Sequence, residues 1–390
     1  MTDLIALRRQ LHAIPELALD LPGTRAAVLA ALDHLPVKIH TYDSSSAIAV
    51  VVSGTKPGGT VLLRSDMDAL PVLERPGLSF ASTNGRMHAC GHDLHMAGLV
   101  GAIEDLVSRR DEWAGDVLAV FQPGEEGAGG AQLMIDENVL MTTGSLPVAS
   151  FGVHVLSFYE PGAFHCRVGS VMAATSNFEL VIRGRGGHAA RPHQALDPVS
   201  VAAMTVQGIQ TLVAQRSSPA DPLVVTVGSL VAGSAPNVIP DEAVLLISLR
   251  ATTMARARDA HELIVGISRG MAKAYGLSVE AALIAELPPT VSDAPSVELA
   301  QAVVTDLFGP DAYRPMTLPE MISEDFSLFL EATGGAFVLV GAAAGEAPYE
   351  ELPTNHSAGA RFDDVVVTKI AGFLSEVAIR RLAQDQKVGP

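Results

Sequence analysis

The chain has 390 residues, 48% hydrophobic and 18% charged, the balance of a globular protein long enough for two domains. Its 26 basic and 43 acidic side chains leave a net charge of -17, which excludes non-specific nucleic-acid binding, since that needs a basic surface. No uncharged apolar run reaches the length of a membrane span, the opening residues carry no basic-then-apolar leader, and the two cysteines lie far apart, so the expectation is a cytoplasmic protein without disulfides.

The first predicted element is a helix over Asp3–His12, ended by Pro15. Ala47–Val52 and Thr60–Arg64 read as buried strands, and Asp93–Val107 as a helix. Val117–Phe121 is a strand ending near Glu125-Glu126, and Phe151–Val155 is a strand carrying His154. This alternation predicts an α/β domain with helices on both faces of its sheet. A further strand holds Cys166, read as a packed thiol.

The pattern changes near Asn177. Phe178–Arg183, Leu223–Leu230, Ala243–Arg250 and Ser278–Ala285 read as strands, with helices over Pro198–Gln215 and Arg256–Tyr275. Their order is β-α-β-β-α-β, a ferredoxin-like signature, although the strands alternate less strictly than an exposed sheet requires. Pro288-Pro289 marks a return point, after which helices at Val297–Leu307 and Val365–Leu382 and a strand at Gly335–Val340 complete the first domain. The expected organisation is a large mixed-sheet α/β catalytic domain sandwiched by helices, residues 1–175 and 289–390, with an inserted α+β domain over 176–288.

Chemistry concentrates in Met87-His-Ala-Cys-Gly-His-Asp-Leu-His95, where a thiol and three imidazoles crowd together. Thiolate and neutral imidazole are favoured ligands of a borderline-soft divalent metal. Cys90 and His92 lie on the loop opening a helix, Glu125 and Glu126 follow one strand, His154 ends another, and His356 sits in a loop before the last helix. An open α/β sheet places ligands at such positions. Cys90, His92, Glu126, His154 and His356 make too many donors for one tetrahedral zinc but suit two metals sharing a ligand. A turn at Gly124 would aim both glutamates at the site and leave Glu125 to act as general base on a metal-activated water.

Asp66 and Asp68 close a strand and, as alternate residues, share a face toward the metals, where they would support ligand imidazoles. His95 lies one helical turn from His92 and is read, with His88, as a supporting residue. His12, His34, His40, His165 and His261 lack such context and read as structural or surface residues. Two other readings stand beside this one: a cysteine hydrolase with Cys90 as nucleophile, and a non-catalytic metal-binding protein, which would have no use for a spare carboxylate.

These residues carry a family resemblance. The chain resembles the cocatalytic-metal amidohydrolases that include hippurate hydrolase, auxin-amino-acid conjugate hydrolases and bacterial aminoacylases, relatives of glutamate carboxypeptidase. The likeness runs through Arg8-Arg-Gln-Leu-His-Ala-Ile-Pro-Glu16, Ser65-Asp-Met-Asp-Ala-Leu-Pro71, the Met87–His95 stretch, Phe121-Gln-Pro-Gly-Glu-Glu126, Gly186-Gly-His-Ala-Ala190, Pro236-Asn-Val-Ile-Pro-Asp241 and Ser323-Glu-Asp-Phe326. It implies that Cys90, His92, Glu126, His154 and His356 bind two divalent metal ions (zinc or manganese, or nickel) and that Glu125 is the general base. It also implies a lid and dimerisation role for the inserted domain, in which His188 reaches over the scissile carbonyl and Asn237 and Arg250 hold the product carboxylate. The implied reaction is hydrolysis of an N-acyl amino acid or a small dipeptide-like amide by a homodimer. One departure is that the proline usual soon after the last ligand histidine is missing from Asn355-His-Ser-Ala-Gly-Ala-Arg361.

Overall fold

Short unbroken apolar runs become strands covered on both faces. The computed structural model describes residues 2–75, 77–218 and 220–388. They fall into two units, one of Met1–Val171, Val291–Thr317 and Asp325–Pro390, the other of Met172–Thr290 and Leu318–Glu324.

The first unit holds an eight-stranded mixed sheet. Its strand order is Lys38–Thr41, Ile48–Ser53, Ala114–Gln122, Lys56–Asp66, Ala149–Leu156, Gly335–Gly341, Phe164–Cys166 and Tyr313–Pro315. The four strands from Ala114–Gln122 to Gly335–Gly341 run parallel. Every residue of Ala149–Leu156 and Gly335–Gly341 is buried. Successive side chains point to opposite faces, so burial at each position means both faces are covered. Helices His92–Ser108 and Val366–Val388 pack on each other and on the Lys56–Asp66 strand. The Leu4–His12 helix, capped by Asp3 accepting from the Ala6 amide, packs on His92–Ser108.

Entry into the His92–Ser108 helix depends on Gly91. Its φ is +83°, and a Cβ there would lie 2.3 Å from Val155 Cγ2. The left-handed backbone disfavours any other residue by about 1–2 kcal/mol, and a misfit in a packed core adds about 1–3 kcal/mol. Gly91→Ala is therefore expected to lower unfolding free energy by about 2–5 kcal/mol. Urea unfolding of the metal-free protein measures this, and an unchanged midpoint would refute it.

The second unit is an antiparallel sheet in the order Leu223–Ala232, Glu242–Ala251, Ala174–Arg183, Ser278–Leu287. Helices Pro198–Arg216 and Met254–Ala274 connect the strands as the β-α-β-β-α-β order requires. Phe178, Leu180 and Ile182 face them and pack with Val201, Ile209, Ala260 and Ile264. The burial alternation is regular along Glu242–Ala251 but lapses along Ser278–Leu287, and the open face also carries apolar side chains, which blurs the pattern in the sequence. Val224, Leu246 and Ile284 are 41%, 42% and 59% exposed. Leu318–Glu324 also joins this unit, since the Ala173 amide donates to the carbonyls of Glu320 and Ile322. The sequence placed that segment with the first domain.

Candidate metal centre

The parallel strands of the first unit end together, with Asp66 opposite Gln122 and Leu339 opposite His154. Asp66 and Asp68 follow one strand end, Glu125 and Glu126 another, and His154 nears the end of a third. Cys90 and His92 arrive at the N-terminus of the His92–Ser108 helix. His356 comes in on a loop whose amide donates to the Ala89 carbonyl at 2.9 Å. Gly124, at φ +74°, turns the chain so that Glu125, Glu126 and His92 bring ligand atoms within 4.8 Å of one another.

Five residues from four separate stretches of the sequence meet here. Cys90 Sγ lies 3.3 Å from His154 Nε2 and 3.2 Å from His356 Nε2. His356 Nε2 lies 3.2 Å from Glu126 Oε1, and His92 Nε2 lies 3.9 Å from the same oxygen. Ligand atoms of Cys90, His92 and His154 form one close group, and those of Cys90, Glu126 and His356 another, with Cys90 common to both. These two groups would hold two cations, and sulfur, nitrogen and oxygen donors together suit several first-row metals.

The fit can be tested on the protein alone. Both ring nitrogens of fully buried His92 lack a hydrogen bond of good geometry. The carboxylates of Asp66 and Asp68 stand 3.6 and 3.7 Å away. Leaving such groups unmade in a core costs about 1–3 kcal/mol each, which ligation of a cation would remove. The protonation pattern agrees. Hydrogen bonds to Cys90 and Glu126 push His356 up to about 10. Burial and the Glu126 charge raise the Cys90 thiol. Burial and the charge of His95 drive His154 well down. His356 and Cys90 thus carry protons in the metal-free protein that a divalent cation would displace.

Around the donors lies a set of supporting contacts. His154 Nδ1 donates to the Val155 carbonyl at 2.9 Å, which fixes the tautomer with Nε2 bare toward Cys90. His95 Nδ1 bonds Asp66 Oδ1 at 2.6 Å and its Nε2 accepts from the Val155 amide at 2.9 Å, so both nitrogens are committed and it supports the donors. Asp68 accepts from the backbone amides of Glu125 and Glu126, at 3.0 and 3.1 Å, and so holds the glutamate turn. His88 is buried, and burial draws it down to about 3, keeping it neutral. Cys166 packs against the Phe337 carbonyl, its thiol pushed up to about 11 by burial.

Several contributors had escaped the sequence reading. Asn355 donates to the carbonyls of Val155 and Cys90 and accepts from the Ser157 amide, stitching the His356 loop to two donor segments. Arg64, fully buried, bonds Asp66, Gln122 and Asp325. Arg64 lies two residues before Asp66 on the same strand, and that spacing was the available signal.

In the second unit, His188 and Asn237 come together where Gly187–His188 pairs with Val238–Ile239 and the Ala189 amide donates to the Asn237 carbonyl. Both side chains are exposed. Arg250 sits on the Glu242–Ala251 strand, opposite Thr175 and Val224, and donates to Ser323 Oγ. Burial lowers its pKa from the usual guanidinium value.

A mixed-sheet unit with a thiolate–imidazole–carboxylate cluster at its strand ends defines a hydrolytic metalloenzyme scaffold, and comparison with known proteins agrees. The chain belongs to the peptidase family M20/M25/M40, whose family model matches residues 62–373. It is 35% identical to an N-acetyldiaminopimelate deacetylase of Streptococcus uberis over 92% of this chain and 93% of that one. It is 33% identical to thermostable carboxypeptidase 1 of Saccharolobus solfataricus, over 87% and 85%. A solved Bacillus subtilis structure, described as a dinuclear metal binding peptidase of the M20 family, superposes with a TM-score of 0.82 at 28% identity, covering 97% of this chain and 98% of that one. The protein is thus an amide-bond hydrolase. No helix among the described residues is long and apolar enough to cross a membrane.

Proposed function

We propose that this protein hydrolyses the amide bond of N-acyl amino acids with a centre of two divalent metal ions. The observation that carries the reading is the joint donor set of Cys90, His92, Glu126, His154 and His356, with Glu125 on the Asp68-tethered turn beside it. Two bound cations supply Lewis-acid polarisation of the amide carbonyl and acidify water. Glu125 takes the proton of the attacking water and passes it to the leaving nitrogen. Glu126 holds metal through the same turn, so the two roles are separated by one backbone step. In the second unit, His188 offers a donor for an oxyanion. Arg250 offers a planar fork for the substrate carboxylate, and Asn237 an amide for the same group.

The finer assignments follow from chemistry. The mixed donor set suits zinc or manganese, and nickel third. The apolar open face of the second unit, with Val224, Leu246 and Ile284 exposed, suits a homodimer formed through it. A cytoplasmic setting suits the two reduced, buried cysteines. Cys90 as a nucleophile is disfavoured, because burial raises its thiol and its neighbours His92, His154 and His356 suit co-ligation of a metal.

Exhaustive chelation is expected to abolish hydrolysis across a product-detected panel of N-acyl amino acids and dipeptides, and added Zn²⁺ or Mn²⁺ to restore it. Turnover that survives chelation would overturn the metal-assisted reading. A panel in which dipeptides outpace every N-acyl amino acid would move the substrate class to that of a carboxypeptidase-like relative.

A further inference from the structure

The Arg8–Glu16 motif has so far had no role in the chemistry. We propose that Arg8 is a positioning residue that holds the Cys90–His92 segment and the His356 loop at the separation the metal centre needs; the inference rests on the two-metal reading above. Arg8 is 1% exposed. Its Nε lies 2.8 Å from Asp93 Oδ2, and its Nη1 donates to Asp364 Oδ1 at 2.8 Å. Asp93 follows His92 directly, and Asp364 closes the segment that starts at His356. Arg8 therefore ties the two donor segments together, while Arg9, whose Nε donates to Asp364 Oδ2 at 2.8 Å, holds Asp364 but does not reach Asp93's side of the link.

The rest of the helix reinforces the grip. His12 Nδ1 lies 2.8 Å from the same Asp93 oxygen, and its Nε2 lies 3.1 Å from Glu74 Oε1. The next residue, Arg75, donates its amide to the Ala358 carbonyl at 3.0 Å, just past His356. Phe80 covers this cluster, with its ring centroid 5.0 Å from the Arg8 guanidinium carbon. The His356 loop needs holding, because His356 adopts φ +68°, a left-handed backbone that favours glycine. Without the anchor at Asp364, the loop can relax away from Cys90 and Glu126, which His356 meets at 3.2 Å. A guanidinium reaches two carboxylates in fixed directions, whereas an ammonium is a single point charge.

Titration of metal-free protein with Co²⁺ tests this, read by the sulfur-to-cobalt absorption of Cys90 and by the number of equivalents bound. Wild type is expected to take two equivalents. In Arg8→Met one of the two affinities is expected to fall by about 10–100-fold, the range for residues that orient ligands, while the other holds. Arg8→Lys is expected to lie between the two. Asp364→Asn severs the same link from its more exposed end and serves if Arg8→Met does not fold. The double variant should then be no weaker than either single one, and additive losses would count against a shared link. Wild-type affinities for both equivalents in folded Arg8→Met would overturn the proposal. A wild type that never takes two equivalents would instead overturn the two-metal reading.

Discussion

Glu125→Gln is expected to keep its metal and lose nearly all turnover. The substitution preserves side-chain shape and leaves the backbone amide on Asp68, so the turn that also carries Glu126 stays in place. What disappears is the proton acceptor. General-base catalysis is worth about 10²–10⁴-fold in rate, equivalent to roughly 3–5 kcal/mol of barrier, and glutamine cannot shuttle the proton to the leaving nitrogen. The measurement pairs kcat with metal content per chain. A kcat within a few-fold of wild type, in protein that holds its metal, would remove Glu125 from the mechanism. Lost metal together with lost turnover would show that Glu125 is a ligand.

Arg64→Met is expected to be among the most destabilising changes in the first unit. Arg64 is fully buried between two carboxylates, 2.7 Å from Asp66 and 3.0 Å from Asp325, and bonds Gln122 at 2.8 Å. Methionine fills much of the volume but takes the guanidinium away from both buried carboxylates. Removing one partner of such a pair costs about 3–5 kcal/mol, because the remaining charge stays desolvated. Asp325 keeps bonds from Gln122 and the Ala131 amide, so most of the effect is expected through Asp66. Asp66 also fixes His95, which orders the Val155 amide beside His154, so metal affinity should fall along with stability. Urea unfolding of metal-free protein gives the stability term. Adding Asp66→Asn should recover part of the loss, and a single-variant cost below about 1 kcal/mol would show that water reaches the site.

The candidate donor set was largely legible in the sequence, and the reason is local. Cys90 and His92 stand close together before a helix, Glu125 and Glu126 follow a strand, and His154 lies in an apolar run that can only be a buried strand. Each placement follows from short-range periodicity and turn chemistry. The resemblance added His188, Asn237 and Arg250, whose spacing alone carries no such signal. The long-range arginine contacts behind the donors were not legible. Arg64 meets Asp325, and Arg8 meets Asp364, across most of the chain. In a sequence a buried arginine looks the same as a solvated one.

Residue types and spacing thus pointed to most of the long strands and helices and to a candidate set of metal-binding side chains, because periodicity and ligand preference act over a few residues; short elements such as Lys38–Thr41 and Tyr313–Pro315 left no such signal. Packing settled the rest. It committed both nitrogens of His95 to supporting contacts, gave Asp68 to the glutamate turn, made Cys90 common to two donor groups and assigned Leu318–Glu324 to the second unit. Those outcomes depend on which distant polar groups are buried together, and a buried polar group takes whatever partner the fold brings within hydrogen-bond reach.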